Sequence, residues 1–191
     1  MDAPRRVADV VRAFEGAPDE VRAFLPDLPH LMQDRALRHG LAAALAYAFH
    51  RLEVAHRRAL FLGLVRLHGV GPELARRATE NEHLSREHFQ RLFREVLRAP
   101  LPAEARTLLD VATGVRDDLV HGKQVRPASL RKALMAVTAY ACELHGFCVE
   151  GEPGLSPFRE DVHGLVPPAD RRLTNATSRF VLRGMGFEGF A

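Results

Sequence analysis

Arg116, Asp117 and His121 stand close together in the stretch Val115-Arg116-Asp117-Asp118-Leu119-Val120-His121-Gly122-Lys123. Arginine neutralises phosphate oxygens through a planar fork of donors, histidine exchanges protons near neutral pH, and a carboxylate can hold that histidine in one tautomer. Together they can perform acid-base chemistry on a phosphodiester without a metal. On a straight helix Asp117 and His121 lie four apart and share a face. Arg116, five positions before His121, sits about 140° away around the helix axis. It reaches His121 only through its own length, through a helix end that unwinds, or from a second subunit.

The spacing alone is common in a chain rich in arginine and histidine: Arg51 to His56 repeats it, and Arg77 to His83 falls close to it. The copy at Arg116 differs in its setting. A polar residue follows the arginine directly, Leu119 and Val120 are apolar, Gly122 ends the helix, and another long amphipathic helix lies beyond. In this setting the stretch resembles the signature of the HEPN superfamily, which reads arginine, polar residue, three more, histidine. These helical bundles include many metal-independent endoribonucleases. The family most often carries asparagine where this chain has Asp117.

The resemblance covers the helical core and implies an all-α, four- to five-helix bundle over residues 34–149 that forms a homodimer, with the motifs of both subunits facing a shared cleft. It implies a hydrolase that needs no cofactor and no metal. A base takes the proton from a ribose 2′-hydroxyl, the oxygen attacks the adjacent phosphorus, and a cyclic phosphate forms; RNA is required because DNA lacks that hydroxyl. His121 would be the general base or acid, Arg116 would stabilise charge on the phosphate, and Asp117 would orient His121. Lys123 and Arg126, in the loop after the motif, would hold flanking phosphates by proximity. Glu53, on the long preceding helix, is a candidate support for the motif, with an ion pair to Arg57 as the plainer reading. A role as the toxin of a toxin–antitoxin pair, or as a defence effector, extends the resemblance further.

Other readings stay open. Arg116 can pair with Asp117, Asp118 or a neighbouring helix while His121 caps carbonyls at the helix C-terminus. A non-catalytic HEPN-like module would bind RNA, nucleotide or a protein partner, with Phe180, Val181, Leu182, Met185, Phe187 and Phe190 as C-terminal apolar anchors. Glu53-x-x-His56 and Glu80-x-x-His83 match the spacing of carboxylate-bridged di-iron bundles, but the helices of Leu108 and Leu134 bring no inward glutamate to complete such a site. His83 and His88, with Glu82 and Glu87, read as a solvated helix start in preference to a cation site.

A chain of 191 residues suits one well-buried core with appendages. The net charge of +3 mildly favours an anionic partner. Nearly all the basic charge is scattered arginine, Lys123 and Lys132 being the only lysines, and no arginine-rich block or interleaved aromatic platform stands out. Cys142 and Cys148 read as buried apolar residues within one helix. No signal-like apolar run is present, and Arg51, Glu53, His56, Arg57, Arg58 and Arg66 interrupt the most apolar helix, so a cytoplasmic protein with no membrane span is expected.

The elements that must position the motif follow from apolar periodicity. Val7, Val10, Val11 and Phe14 form a short helix ending at Gly16; Val21, Phe24 and Leu25 form another after Pro18. From about Asp34, Leu37, Leu41, Ala44, Ala48, Leu52, Ala55, Ala59 and Leu62 predict one long helix, or two joined by a kink, up to Gly69. Pro72 opens a minor helix, and Ser85 caps one with Phe89, Leu92, Phe93, Val96 and Leu97 inward. The motif helix follows Pro102 with Ala105, Leu108, Ala112, Val115 and Leu119 inward. Pro127 starts the last long helix, with Leu130, Leu134, Val137, Ala141, Leu144 and Cys148 on one stripe. Gly151, Pro153, Gly154, Pro157, Gly164, Pro167 and Pro168 then mark an irregular tail, with a short docking helix near Phe180. The expected division is an N-terminal extension (1–33), the bundle (34–149) and a C-terminal extension (150–191) packed on it.

Overall fold

The computed structural model describes residues 6–33, 37–151 and 154–190. Among them all regular structure is helical: α1 (Val7–Glu15), α2 (Asp19–Phe24), α3 (Leu28–Met32), α4 (Leu37–Arg66), α5 (Pro72–Glu80), α6 (Arg86–Leu97), α7 (Ala103–Val120), α8 (Pro127–Glu150) and α9 (Asn175–Gly184), with 3-10 turns at Glu160–Gly164 and Glu188–Phe190. The all-α class is as expected, and the candidate long helix is a single α4. The expected helix start at Asp34 and the break at Pro153 lie outside the described residues, as does the side chain of Leu37.

Local chemistry accounts for the boundaries. Proline occupies the first position of α5 and of α8, where a missing N–H leaves no helical bond unmade. Ser85 Oγ accepts the His88 backbone N–H at 3.2 Å, a cap contributing about 1 kcal/mol. Thr174 caps α9 in the same way through the Thr177 N–H.

The chain divides into two compact units, each made of two segments. The first takes in the described residues of Met1–Leu52 together with Pro102–His145, and the second those of Glu53–Leu101 together with Gly146–Ala191. Both α4 and α8 contribute to each unit.

In the first unit Val10, Phe14, Val21, Phe24, Leu25, Leu28 and Met32 are buried, as are Leu41, Leu45, Ala48 and Leu52 of α4. Arg51 ties α4 to the end of α2: its Nε donates to the Phe24 carbonyl at 2.9 Å and its guanidinium lies 3.9 Å above the Phe24 ring. The stripe expected on the first-unit part of α8, Leu130, Leu134, Val137, Ala141 and Leu144, is buried.

On α7 the buried face is narrower than the periodicity suggests. Ala105, Leu109 and Ala112 are buried, while Leu108, Val115 and Leu119, expected inward, are only half-buried. Beyond Ala112 no residue of α7 is fully covered. Arg116, Asp117 and Asp118 point to the other sides of these last turns, so the apolar stripe runs on through Val115 and Leu119 but is only half covered there.

In the second unit residues 59–65 of α4 are buried on every side, against Phe89, Leu92, Phe93, Val96 and Leu97 as the expected inner face of α6. Phe93 meets Phe89 edge-on at 5.5 Å and Phe147 at 5.2 Å. The irregular tail is fastened by backbone bonds, Leu155 N–H to the Cys148 carbonyl at 3.2 Å and Leu173 N–H to the Gly69 carbonyl at 3.0 Å. Phe158, Val162, Leu182 and Phe187 bury their side chains. Burial pushes the Cys148 thiol up to about 12, whereas Cys142, expected to be buried, is half-buried. No helix among the described residues is long and apolar enough to cross a membrane.

Candidate active site

The motif occupies the C-terminal end of α7, and a Schellman turn sets its geometry. His121 is the C-cap; Gly122 follows at φ +70° and donates its N–H to the Leu119 carbonyl at 3.0 Å; Lys123 donates to the Asp118 carbonyl at 2.9 Å. Both bonds satisfy carbonyls that a helix end leaves open. Backbone amides therefore cap the helix, and the His121 side chain does not. His121 is exposed, and its ring takes part in no hydrogen bond or ion pair among the described residues.

The carboxylates of the motif serve its cations. Arg116 donates to Asp117 Oδ1 at 3.2 Å, with both side chains near half exposure, and its guanidinium lies 5.6 Å from the centre of the buried Phe49 ring. Asp117 and His121 share a helix face, as their spacing predicts, yet the carboxylate is engaged with Arg116. Lys123 Nζ lies 2.7 Å from Asp118 Oδ1, and that hydrogen bond, with the attraction of the carboxylate, pushes the ammonium up from its ordinary value.

Arg126 stands exposed at the start of α8, where its carbonyl accepts the Ser129 and Leu130 N–H groups at 2.9 and 3.2 Å. The structure thus assembles Arg116, Asp117, His121, Lys123 and Arg126 along one helix end and the connection to the next. Glu53 belongs to the second unit, where it is exposed on α4.

The other arginine–histidine spacings have different settings. Arg51 is committed to Phe24. His56 is buried in the second unit, stacked on Phe89 with ring centres 3.9 Å apart and planes at 16°. Burial, reinforced by the charge of Arg57, pushes its imidazole down to about 3. It is held neutral at ordinary pH. Arg77 is exposed near the end of α5, and His83 lies beyond that helix.

His83 instead lines an open cleft of about 510 Å³ with Ser85, Glu87, His88 and Arg91 at the start of α6. The cluster is only in part the solvated helix start expected: His83 and Glu87 are exposed, but Glu82 and His88 are withdrawn. Glu82 is only 4% exposed, and its Oε1 lies 3.3 Å from Nε2 of His88, whose side chain is 11% exposed. His88 Nδ1 faces the His83 carbonyl at 3.2 Å. A carbonyl only accepts, so Nδ1 carries hydrogen, and Nε2 can also donate to Glu82 only when the ring is doubly protonated. Periodicity could not find this pair, because Glu82 lies in a stretch without helical repeat; its nearness to the Ser85 cap was the available signal. Among the described residues no group of three or more potential metal ligands forms.

No family model, curated protein or solved structure matches this chain, so its own geometry carries the functional argument.

Proposed function

We propose that the protein is a metal-independent endoribonuclease of the HEPN type, cleaving RNA through attack of the 2′-hydroxyl. The observation that carries this reading is the exposed, unengaged imidazole of His121 at a rigidly capped helix end that also bears Arg116. His121 exchanges the proton of the reacting hydroxyl, and Arg116 neutralises charge on the phosphate oxygens. Asp117 holds the Arg116 guanidinium, and Lys123 and Arg126 meet flanking phosphates. Val115, Leu119 and the exposed Val120 leave the end of α7 incompletely covered. Their exposure supports pairing with a second copy, and that pairing is how Arg116 and His121, on different sides of one helix, meet one substrate. A toxin or defence role, with an antitoxin partner in the cytoplasm, extends the same reading.

The test is cleavage of a mixed cellular RNA pool in EDTA by wild type and by His121→Ala, with product ends analysed. EDTA-resistant cleavage that leaves cyclic phosphates and disappears in the variant is expected. Equal cleavage by both proteins would refute the reading.

A second reading rests on its own observation: the cations of Arg116 and Lys123 already face the carboxylates of Asp117 and Asp118. In that case the domain is a non-catalytic HEPN-like module that binds RNA or a protein partner. Well-folded wild type that cleaves nothing would favour it.

A further inference from the structure

The C-terminal helix presents a different chemistry from the motif. Phe180, on α9, is 77% exposed, the most exposed large apolar side chain among the described residues. Of the other apolar residues near it, Leu182 and Phe187 are buried and Val181, Met185 and Phe190 are half-buried. A protein-docking face needs several contiguous apolar side chains around its anchor. Here one aromatic ring stands out alone.

The exposed charges of α9 itself are cationic: Arg179 and Arg183 are exposed, and the helix contains no carboxylate. Arg179, Phe180 and Arg183 share a face of α9 through three- and four-residue steps. Arg183 is held at the end of that face by its Nε donating to the Phe190 carbonyl at 2.8 Å. A lone exposed aromatic framed by guanidinium groups suits single-stranded nucleic acid, which offers a base to stack on the ring and phosphates to the cations.

We propose that the outer face of α9 binds single-stranded RNA, with a base stacked on Phe180 and flanking phosphates held by Arg179 and Arg183. The choice of RNA rests on the endoribonuclease reading; the binding surface uses none of the motif's residues. Fastening of the tail by the Leu173–Gly69 bond, one residue before the Thr174 cap, gives the helix a fixed base.

The test uses the full chain and a fluorescent 2′-O-methyl oligouridylate of about 12 nucleotides, within the site sizes of such surfaces. This probe lacks the free hydroxyl needed for cleavage, so binding is read apart from chemistry. Phe180→Ala is expected to weaken binding by roughly 5- to 100-fold without changing its salt dependence, while Phe180→Tyr, which keeps a stacking face, stays within about twofold. Arg179→Ala and Arg183→Ala should each reduce the salt slope by about 0.7. Binding by Phe180→Ala within twofold of wild type, no binding by wild type, or equal displacement of the probe by polyglutamate would overturn the proposal. Probe binding without RNA cleavage would leave it standing while the nuclease reading fails; cleavage without probe binding would overturn this proposal alone.

Discussion

Arg116 donates to the carboxylate of its own neighbour Asp117 at 3.2 Å, while His121, one turn further along, has its ring turned out to water. The two groups that the proposed endoribonuclease reading assigns to phosphodiester chemistry are thus in unequal states. One is restrained and partly neutralised; the other is unengaged.

In the proposed endoribonuclease reading, that inequality makes Asp117 a brake on Arg116. The pair is half exposed, and such pairs contribute up to about 1 kcal/mol. Asp117→Asn should therefore raise RNA cleavage about two- to fivefold, measured as initial rate in EDTA at low salt, as the guanidinium becomes available to phosphate. A tenfold fall instead would mean that Asp117 acts on His121.

Gly122 reaches φ +70° with open space where a Cβ would stand. Gly122→Ala therefore carries backbone strain alone, about 1 kcal/mol. A loss of roughly 2–4 °C in melting temperature is expected for a chain of this size. Fraying of the last turn of α7 should lower cleavage by a larger factor than it lowers stability. Unchanged cleavage would detach the Schellman turn from the positioning of His121.

Gly69 makes the opposite case. It also has positive φ, at +66°, but a Cβ there would stand 1.7 Å from the Arg171 carbonyl oxygen. Gly69→Ala must displace the tail backbone and should cost more than about 2 kcal/mol. Limited proteolysis near residues 168–174 should accelerate along with the fall in melting temperature. A variant as protease-resistant as wild type would show that the tail is held elsewhere.

His56 sets an acid limit on stability. Its folded imidazole is pushed down to about 3, from 6.5 in an open chain. Below about pH 6.5 the unfolded chain binds a proton that the folded one refuses, so stability falls as pH drops through that window. The contribution is about 1 kcal/mol per pH unit until the folded group titrates near pH 3. Urea unfolding of wild type and His56→Phe between pH 7 and 4 measures this; the variant should show the shallower pH dependence, and parallel curves would reject the buried neutral histidine.

Much of the local architecture was legible in the residues. Ser85 and Gly122 announce a helix start and a helix end by interactions that span a few positions, and Pro72 and Pro127 open helices through their own ring constraint. The apolar stripe of α8 was readable because its core residues recur at three- and four-residue steps from Leu130 to Cys148, with Arg131, Lys132 and Glu143 off that face. On α7 the same reading extended the stripe to Val115 and Leu119, which the fold leaves only half-buried.

The sequence by itself determined the helical class, most helix boundaries and the placing of Arg116, Asp117 and His121 at one helix end, because capping and periodicity act over one or two turns. Only the tertiary structure decided that Asp117 turns to Arg116, that Glu82 is withdrawn beside His88, and that Phe180 stands in water while Leu182 and Phe187 do not. Those outcomes depend on which distant segments share a compact unit, and a pattern of near neighbours contains no term for such contacts.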